Sequence, residues 1–182
     1  MFIQTEDTPN PATLKFLPGR EVMGARPPAD FPNADAANAS PLAEALFAID
    51  GVSSVFLGAD FIAVSKNETE WQHIKPAILQ AIMEHFVADF PVMHDDGDVA
   101  VADEEDDETV TAIKQILDTR VRPAVAQDGG DIVFHSFEDG IVSLYLRGAC
   151  AGCPSATATL KQGVENLLKH YVPAVSEVRA VI

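Results

Sequence analysis

Cysteine is scarce in this chain, since only two of its 182 residues are cysteines. Two cysteines form at most one disulfide, which excludes a small secreted domain held together by several of them. No apolar run approaches the roughly 18 residues that a membrane-spanning helix needs, so no membrane partner is expected. The start, Met1-Phe2-Ile3-Gln4, shows no basic stretch followed by an apolar one, so the sequence as written predicts no targeting segment. We therefore expect a soluble intracellular protein.

Positive charge is scarce as well. The chain has 12 lysines and arginines against 28 aspartates and glutamates, and its formal net charge is −16. Lysine and arginine side chains that neutralise phosphates supply most of the affinity of proteins for nucleic acids. Because the chain is acidic, no nucleic-acid partner is predicted.

The negative charge is concentrated near the middle of the chain. Residues 93–108 contain nine acidic side chains and neither lysine nor arginine. Like charges at this density repel each other, and few apolar side chains are available there for burial. We interpret 93–107 as an acidic flexible linker between a domain at 1–92 and a domain at 108–182. A charged surface loop of a single domain is the alternative interpretation.

The first domain shows both strand and helix patterns, which predicts an α+β unit. The stretch between Gly19 and Pro41 is rich in proline and is interpreted as an irregular surface connection. The predicted elements are strands at 2–3 and 14–16, a short helix capped by Ser40, strands at 52–57 and 61–65 joined by a turn at 58–60, and a longer helix opening at Asn67 or Thr69. The core-facing residues predicted for the longer helix are Ile74, Ile78, Ile82 and Phe86.

The first domain offers no plausible metal site. It contains no cysteine, and its histidines at 73 and 85 lie twelve positions apart on the longer predicted helix. We interpret His73 and His85 as surface or core-edge side chains rather than as ligands.

The second domain predicts the order helix, strand, strand, helix, strand. Asp106 or Asp107 is suited to cap the first helix, and Pro123 is expected to bend or end it. The tripeptide Glu138-Asp139-Gly140 between two alternating runs is a strong hairpin signal. The remaining predictions are a turn at 128–130, strands at 131–137 and 141–146, a helix with Leu160, Val164, Leu167 and Tyr171 on one face, and a strand at 175–181. The predicted fold class is therefore α+β, with two small domains.

Both cysteines lie in one motif, Cys150-Ala151-Gly152-Cys153, between the hairpin and the last predicted helix. Thiol–disulfide exchange needs two neighbouring thiols, one of them acidified. The same pair supplies half of a zinc site or half of an iron–sulfur site, because each commonly takes four protein ligands. Two small buried residues without a chemical role are the remaining interpretation.

The neighbours of the motif are expected to favour thiolates. Arg147 adds a positive charge, and Gly148 and Gly152 allow backbone amides to approach the sulfur atoms. Pro154 stands where a helix typically begins, which directs the positive helix end towards the sulfurs. Each of these effects lowers the pKa of a thiol.

The number of cysteine ligands in one chain bears on the choice between a metal site and a redox enzyme. One chain supplies two cysteine thiolates as ligands, whereas two chains in a symmetric dimer supply four around one axis. Spacing alone does not decide between zinc and a cluster. A thioredoxin-like enzyme also carries its pair after a strand and at a helix start, but here the motif follows an antiparallel hairpin in a small domain with one strand after it.

Several segments make the chain resemble the Nfu family of iron–sulfur cluster carriers. In the second domain, which resembles the C-terminal domain of NifU, they are Val121-Arg122-Pro123-Ala124-Val125, Asp128-Gly129-Gly130-Asp131-Ile132, the run from Leu144 to Ser155, and Thr159-Leu160-Lys161 with His170-Tyr171-Val172-Pro173. In the first domain, which resembles the Nfu N-terminal domain, they are Met1 to Glu6, Thr8-Pro9-Asn10-Pro11 and Leu14-Lys15-Phe16. The resemblance covers most of both domains and leaves out the linker.

The resemblance implies a homodimer that carries a 4Fe–4S cluster between its two subunits. Each subunit then gives Cys150 and Cys153 as ligands, with Arg147, Gly148 and Gly152 beside the cluster. Such a carrier receives its cluster from upstream assembly proteins and passes it to client apo-proteins. It breaks no substrate bond, so no enzymatic activity is expected. The first domain is expected to bind clients or partners.

Two alternatives and a choice of location remain open. One alternative is a thioredoxin-like dithiol–disulfide oxidoreductase in which Cys150 attacks and Cys153 resolves, and the other is a dimeric adaptor held by zinc. The resemblance implies a location in mitochondria or in bacteria. Because no transit peptide is predicted, the bacterial cytoplasm is the expected location and the mitochondrial matrix is the alternative.

Overall fold

The computed structural model describes residues 1–94, 107–151 and 154–181, with only the backbone of 154–156. The chain divides into two units, Met1–Asp98 and Val99–Ile182, and each combines helices with a sheet. The predicted α+β class with two domains is therefore confirmed. Most of the predicted acidic linker, 95–106, lies outside the described residues, so its extended state and the predicted domain boundaries stay predictions.

The N-terminal unit is built on a five-stranded antiparallel sheet. Its elements are β1 (Gln4–Asp7), β2 (Thr13–Leu17), β3 (Ala29–Phe31), a 3-10 helix (Ala34–Ala39), α1 (Pro41–Phe47), β4 (Val52–Leu57), β5 (Ile62–Lys66) and α2 (Trp71–Val87). The strands lie in the order β1-β2-β5-β4-β3. Val55 and Leu57 of β4 join α1 and α2 in one core, whereas Phe56 between them points to the other face.

Helix spacing and capping explain the two α-helices of this unit. Ser40 accepts a hydrogen bond from the Ala43 amide at 3.1 Å, and Pro41 occupies the first helical position, as predicted. All four core-facing residues predicted for α2 are buried: Ile74, Ile78, Ile82 and Phe86. His85 is buried against the rings of Phe86 and Phe90, whereas His73 is exposed, in agreement with their interpretation as core-edge and surface side chains.

Two predictions for the edges of this sheet are wrong. The first strand is Gln4–Asp7 rather than 2–3, and Phe2 is 81% exposed. An edge strand that is mostly solvent-exposed needs backbone partners and not apolar side chains, so hydrophobicity placed it incorrectly. The stretch between Gly19 and Pro41 also holds β3 and the 3-10 helix, although an irregular connection was expected. Prolines flanking β3 are tolerated because β3 is an edge strand.

The C-terminal unit has the predicted order of helix, strand, strand, helix, strand. Its elements are α3 (Glu108–Ile116), a π-helical turn (Leu117–Val121), α4 (Arg122–Gln127), β6 (Gly130–Glu138), β7 (Ile141–Gly148), α5 (Pro154–Tyr171) and β8 (Glu177–Val181). The β6–β7 hairpin turns at Asp139 and Gly140, whose φ angles are 50° and 80°, as a tight hairpin requires. β8 pairs in parallel with β7, so α5 is the crossover between them.

The first helical segment of this unit is interrupted just before Pro123. The Arg122 amide bonds the Leu117 carbonyl, five residues back, and this bond closes the π-helical turn. Proline has no amide hydrogen, and its ring crowds the carbonyl four residues earlier, so a regular α-helix cannot continue through this point. The bend or end expected at Pro123 is observed as this π-helical turn, and α4 then continues through Pro123 and ends before Gly129, which has a positive φ of 76°.

Among the described residues, no helix combines the length and the apolar character that a membrane span requires.

Candidate cysteine site

Cys150 lies just beyond the end of β7, where backbone hydrogen bonds fix the path of the chain. Gly148 has a positive φ of 62°, a conformation that glycine adopts without strain. The Ala149 amide donates to the Gly129 carbonyl at 3.1 Å, which ties this segment to the turn that precedes β6. The Thr157 hydroxyl donates to the Cys150 carbonyl at 3.4 Å, so the first turns of α5 contact the same segment.

The Cys150 thiol is buried, and it packs with the core of the C-terminal unit. The residue is 6% exposed and belongs to the same apolar cluster as Ile132 and Leu144. Its Sγ lies against Gly130, where a Cβ would approach the sulfur to well under 3.0 Å. That Cβ would also lie 3.0 Å from the Arg147 carbonyl oxygen and 3.0 Å from the Cys150 backbone nitrogen. We call the space bounded by Gly130, the Arg147 carbonyl oxygen and the Cys150 backbone nitrogen the thiol pocket.

The electrostatic surroundings of Cys150 disfavour its thiolate. Burial, followed by the negative charges of Asp128 and Asp131, raises the pKa of Cys150 to about 12. The sequence-based expectation that the surroundings lower the thiol pKa is therefore wrong for Cys150 in this structure. Arg147 does not reverse this effect, although it lies at the end of β7 and directly opposite Asp131 in the sheet.

A buried ion pair fixes the start of β6 beside the pocket. Arg122 donates from Nε to Asp131 Oδ1 at 2.9 Å and from its second terminal nitrogen to Asp131 Oδ2 at 3.1 Å. A further hydrogen bond joins Arg122 to Asp118 at 3.1 Å. The hydrogen bond to Asp131 is the main reason that the pKa of Arg122 is raised, although burial opposes it. Asp131 is 4% exposed, so this bidentate contact stabilises a carboxylate inside the unit.

The π-helical turn explains how Arg122 reaches Asp131. The turn places one extra residue between α3 and α4, which changes the direction in which the following side chains point. Arg122 is the first residue of α4, and it bonds Asp118 within the turn and Asp131 of β6. The irregularity that Pro123 imposes therefore links the first helical segment to the strand that borders the thiol pocket.

The predicted site residues are only partly described. Cys150, Arg147 and Gly148 lie together at the end of β7, as expected from their order in the chain. Gly152 and Cys153 lie outside the described residues, so the contact between the two cysteines stays a prediction. Within the described ranges, three or more metal-ligating side chains are nowhere grouped.

No role in the site was predicted from the sequence for Gly130, Asp131 or Arg122. All three occur in segments that carry the family resemblance. One signal that could have singled out Asp131 is its position as a charged residue immediately before the apolar run Ile132-Val133-Phe134. A charge at the start of a strand that enters a core needs a partner.

Two family models match the chain, one in each unit. Residues 3–89 match the model described as "Scaffold protein Nfu/NifU N terminal", and residues 113–179 match the "NifU-like domain". The proteins of Drosophila persimilis and Drosophila erecta that are named "NFU1 iron-sulfur cluster scaffold homolog, mitochondrial" are each 52% identical to the chain over 185 residues. The match covers 100% of this chain and 65% of each relative, so the chain spans slightly less than two thirds of their length.

Solved structures overlap with single parts of the chain. The solution structure of a NifU-like protein from Saccharomyces cerevisiae is 28% identical, covers 52% of this chain and 86% of its own, and has a TM-score of 0.47. The crystal structure of a Staphylococcus aureus protein is 25% identical, covers 45% of this chain and 99% of its own, and has a TM-score of 0.39.

Proposed function

Because the chain belongs to the Nfu/NifU family of scaffold proteins, we propose that it binds an iron–sulfur cluster as cargo and passes it to apo-proteins. The observation that carries this proposal is the 52% identity, across the whole chain, to proteins that are named iron–sulfur cluster scaffolds. Both family matches lie within the two units of the fold, so the proposal concerns both parts of the chain.

Cluster binding is assigned to the C-terminal domain, 108–182, with Cys150 and Cys153 as the protein ligands. Two thiolates per chain satisfy half of a 4Fe–4S cluster, so two chains share one cluster in a symmetric dimer. Residues assigned to the immediate surroundings of the cluster are Arg147, Gly148 and Gly152. The positive φ of Gly148 and the position of Cys150 between β7 and α5 support this assignment.

Release of the cluster proceeds by exchange of thiolates at iron. In each step, an iron–sulfur bond to an acceptor thiol forms and a bond to Cys150 or Cys153 breaks. The proton that the acceptor thiol gives up is balanced by the proton that the freed cysteine takes up. Iron and sulfide keep their oxidation states, and no bond of the client is broken, so we assign the role of a carrier rather than that of an enzyme.

Upstream assembly proteins supply the cluster, and client apo-proteins accept it. Residues 1–92, the N-terminal domain, are assigned to client or partner binding. The relatives' names place those proteins in mitochondria, which supports the mitochondrial matrix as the location of this chain. They give no support to the bacterial cytoplasm, which was the first expectation from the sequence.

A dithiol–disulfide oxidoreductase is the second candidate. The position of Cys150 between the end of β7 and the start of α5 favours it, because a redox-active pair typically occupies such a position. The pKa of about 12 counts against it, because little Cys150 thiolate is available for attack at neutral pH. Strong turnover in an insulin-reduction assay would favour this candidate over a carrier.

Anaerobic reconstitution of the full chain with ferrous iron and sulfide tests the proposed function. We expect about two iron and two sulfide ions per chain, with the mass of a dimer in solution. Cys150→Ser and Cys153→Ser should each abolish cluster retention, because either change removes two of the four thiolates in a symmetric dimer.

Ala151→Ser is the matched control, since it adds a hydroxyl between the cysteines and keeps both thiols. This variant should retain the cluster. A serine variant at 150 or 153 that still holds a stable cluster contradicts the ligand assignment. A colourless dimer with one zinc ion per two chains indicates the zinc-bound adaptor instead.

A further inference from the structure

Gly130 is a glycine whose backbone conformation does not require glycine. Gly129 and Gly148 have positive φ angles, but Gly130 is not among the glycines of the chain with positive φ. It opens β6 and pairs with Gly148 in the ladder to β7. An alanine at 130 therefore meets no backbone strain, and its closest contact is with the Cys150 sulfur, whereas the Arg147 carbonyl oxygen and the Cys150 nitrogen would each lie 3.0 Å from its Cβ.

Strand pairing holds the backbone on one side of the thiol pocket, whereas Cys150 on the other side lies beyond the end of β7. Gly130 and Gly148 form the last pair of the β6–β7 ladder, and the adjacent Asp131 is held by Arg122. Cys150 follows that last pair, and hydrogen bonds from the Ala149 amide, the Ala151 amide and the Thr157 hydroxyl hold the backbone of its segment. If a methyl group enters the thiol pocket, the group that yields is therefore the Cys150 side chain, because the other two atoms that the methyl group would contact belong to the backbone.

We propose that Gly130 is a positioning residue: because it has no side chain, the Cys150 thiol can be stored, that is, held buried in the thiol pocket, while the chain carries no cluster. The thiol leaves the thiol pocket when a cluster is loaded. The second half of this proposal rests on the proposed function, whereas the first half does not. At 6% exposure Cys150 is almost closed to solvent, so loading requires an opening step. Storage also shields the thiol from oxidants, which react with accessible thiolates.

Alkylation of the cluster-free chain tests the storage step. The chain has two cysteines, so Cys153→Ser leaves Cys150 as its single thiol. In this background we expect iodoacetamide to modify Cys150 slowly in the native chain and rapidly in urea. Adding Gly130→Ala should accelerate the native reaction about 10- to 100-fold, which corresponds to about 1.4–2.8 kcal/mol of overpacking.

Two glycines serve as matched controls. A Cβ on Gly163 of α5 meets nothing within 4 Å among the described residues, so Gly163→Ala should leave the rate of Cys150 alkylation unchanged. A Cβ on Gly58 clashes with the Phe61 ring in the N-terminal unit, so Gly58→Ala introduces a comparable clash elsewhere and should also leave that rate unchanged. Storage is refuted if native Cys150 reacts as fast as it does in urea, or if Gly130→Ala has no greater effect than Gly163→Ala.

A second variant covers the case in which Gly130→Ala unfolds the C-terminal unit. Cys150→Ala removes the sulfur that the new methyl group would contact. If the clash is with that sulfur, then adding Cys150→Ala should restore the far-ultraviolet circular dichroism and the unfolding midpoint. Failure of this variant to restore folding overturns the storage proposal, because the damage then comes from a different contact.

The rate of reconstitution tests the loading step. With both cysteines present, Gly130→Ala should take up iron and sulfide faster than the unmodified chain and reach the same final content, because the opening step is removed. An unchanged rate together with faster alkylation overturns the loading step and leaves storage standing. If no variant holds a cluster, the proposed function fails, whereas the alkylation result remains interpretable by itself.

Discussion

Substitution of Arg122 by alanine removes the cation that faces the buried Asp131 carboxylate. The Asp131 side chain is 6% exposed and the Arg122 side chain is 33% exposed, so the pair is buried on one side and partly hydrated on the other. Loss of one partner from a fully buried pair costs about 3–5 kcal/mol. Because water screens part of this guanidinium, we expect Arg122→Ala to lower the free energy of unfolding of the C-terminal unit by about 2–4 kcal/mol.

Asp131→Asn should be milder than Arg122→Ala. The amide oxygen can still accept from Arg122, and Arg122 keeps its hydrogen bond to Asp118 at 3.1 Å. We expect a loss of about 1–2 kcal/mol, since one of the two hydrogen bonds from Arg122 is weakened and the other is lost where the amide NH2 replaces an accepting oxygen. The test lies in which variant loses more unfolding free energy rather than in either value. Arg122→Ala should lose more, because it leaves the buried Asp131 carboxylate without a counter-charge.

Aromatic residues allow each unit to be followed separately. Trp71, the single tryptophan, lies in α2 of the N-terminal unit, and both tyrosines, Tyr145 and Tyr171, lie in the C-terminal unit. In urea, Arg122→Ala should lower the midpoint reported by tyrosine by about 2 M or more, for a slope of about 1 kcal/mol per molar. The Trp71 midpoint should not move.

An exposed ion pair supplies the control for this measurement. Arg179 is 57% exposed and contacts Glu177 at 3.1 Å, so Arg179→Ala should change stability by less than about 0.5 kcal/mol. The reasoning is refuted if Arg122→Ala changes the tyrosine midpoint no more than Arg179→Ala does. It is also refuted if the Trp71 midpoint falls by the same amount, because the effect would then not be local.

Two further predictions concern the N-terminal unit and use the same Trp71 signal. Burial lowers the pKa of His85, and hydrogen bonds with the backbone of Phe90 and Pro91 only partly oppose this effect. Because the unfolded chain then binds the proton more tightly than the folded one, the stability of the unit should fall as the pH drops below about 6.5. His85→Phe should remove this pH dependence. Ile78 is 0% exposed in the core, so Ile78→Ala should cost about 2–5 kcal/mol in Trp71-monitored unfolding, whereas Gln80→Ala on the exposed side of α2 should change it by less than about 0.5 kcal/mol.

Elements with local signals could be predicted from the sequence. The series that begins at Ile74 and Ile78 fixes one face of α2, because residues at intervals of four share a side of any α-helix. The hairpin between β6 and β7 was predictable from Asp139 and Gly140, because both positions require positive φ. In each case the physical cause lies within a few residues of the pattern, so the sequence contains it directly.

Elements that depend on distant partners could not be predicted. β3 is a strand because Ala29–Phe31 pair with β4, more than twenty residues later, and nothing within the segment itself indicates this. Asn67 or Thr69 was expected to open a helix, but the Asn67 side chain accepts from the Thr69 amide at 3.0 Å, and α2 begins only at Trp71. Asparagine bonds its local backbone equally well in a turn and at a helix cap, so the residue type alone does not distinguish them.

The chemical state of Cys150 was the least accessible property of the site. Arg147 and the neighbouring glycines suggested a lowered thiol pKa, because they are close in sequence. The structure instead packs Sγ against Gly130, twenty residues earlier, where the negative charges of Asp128 and Asp131 also act on the thiol. Burial raises a thiol pKa, and no local pattern reveals on which side of the chain a sulfur is buried.

In the proposed cycle of cluster loading and release, storage of the Cys150 thiol stabilises the cluster-free chain relative to the loaded one. Contacts in the thiol pocket must be broken before the sulfur can bind iron, so the free energy of opening is subtracted from that of cluster binding. If the open form is populated at about 1%, the apparent affinity of one chain falls by about 100-fold, and two chains sharing one cluster lose about 10,000-fold. Closure of the two thiol pockets after release shifts the equilibrium for cluster transfer towards the client by the same factor. A stored ligand is therefore suited to a protein that gives its cluster away, and it would be a disadvantage in one that keeps it.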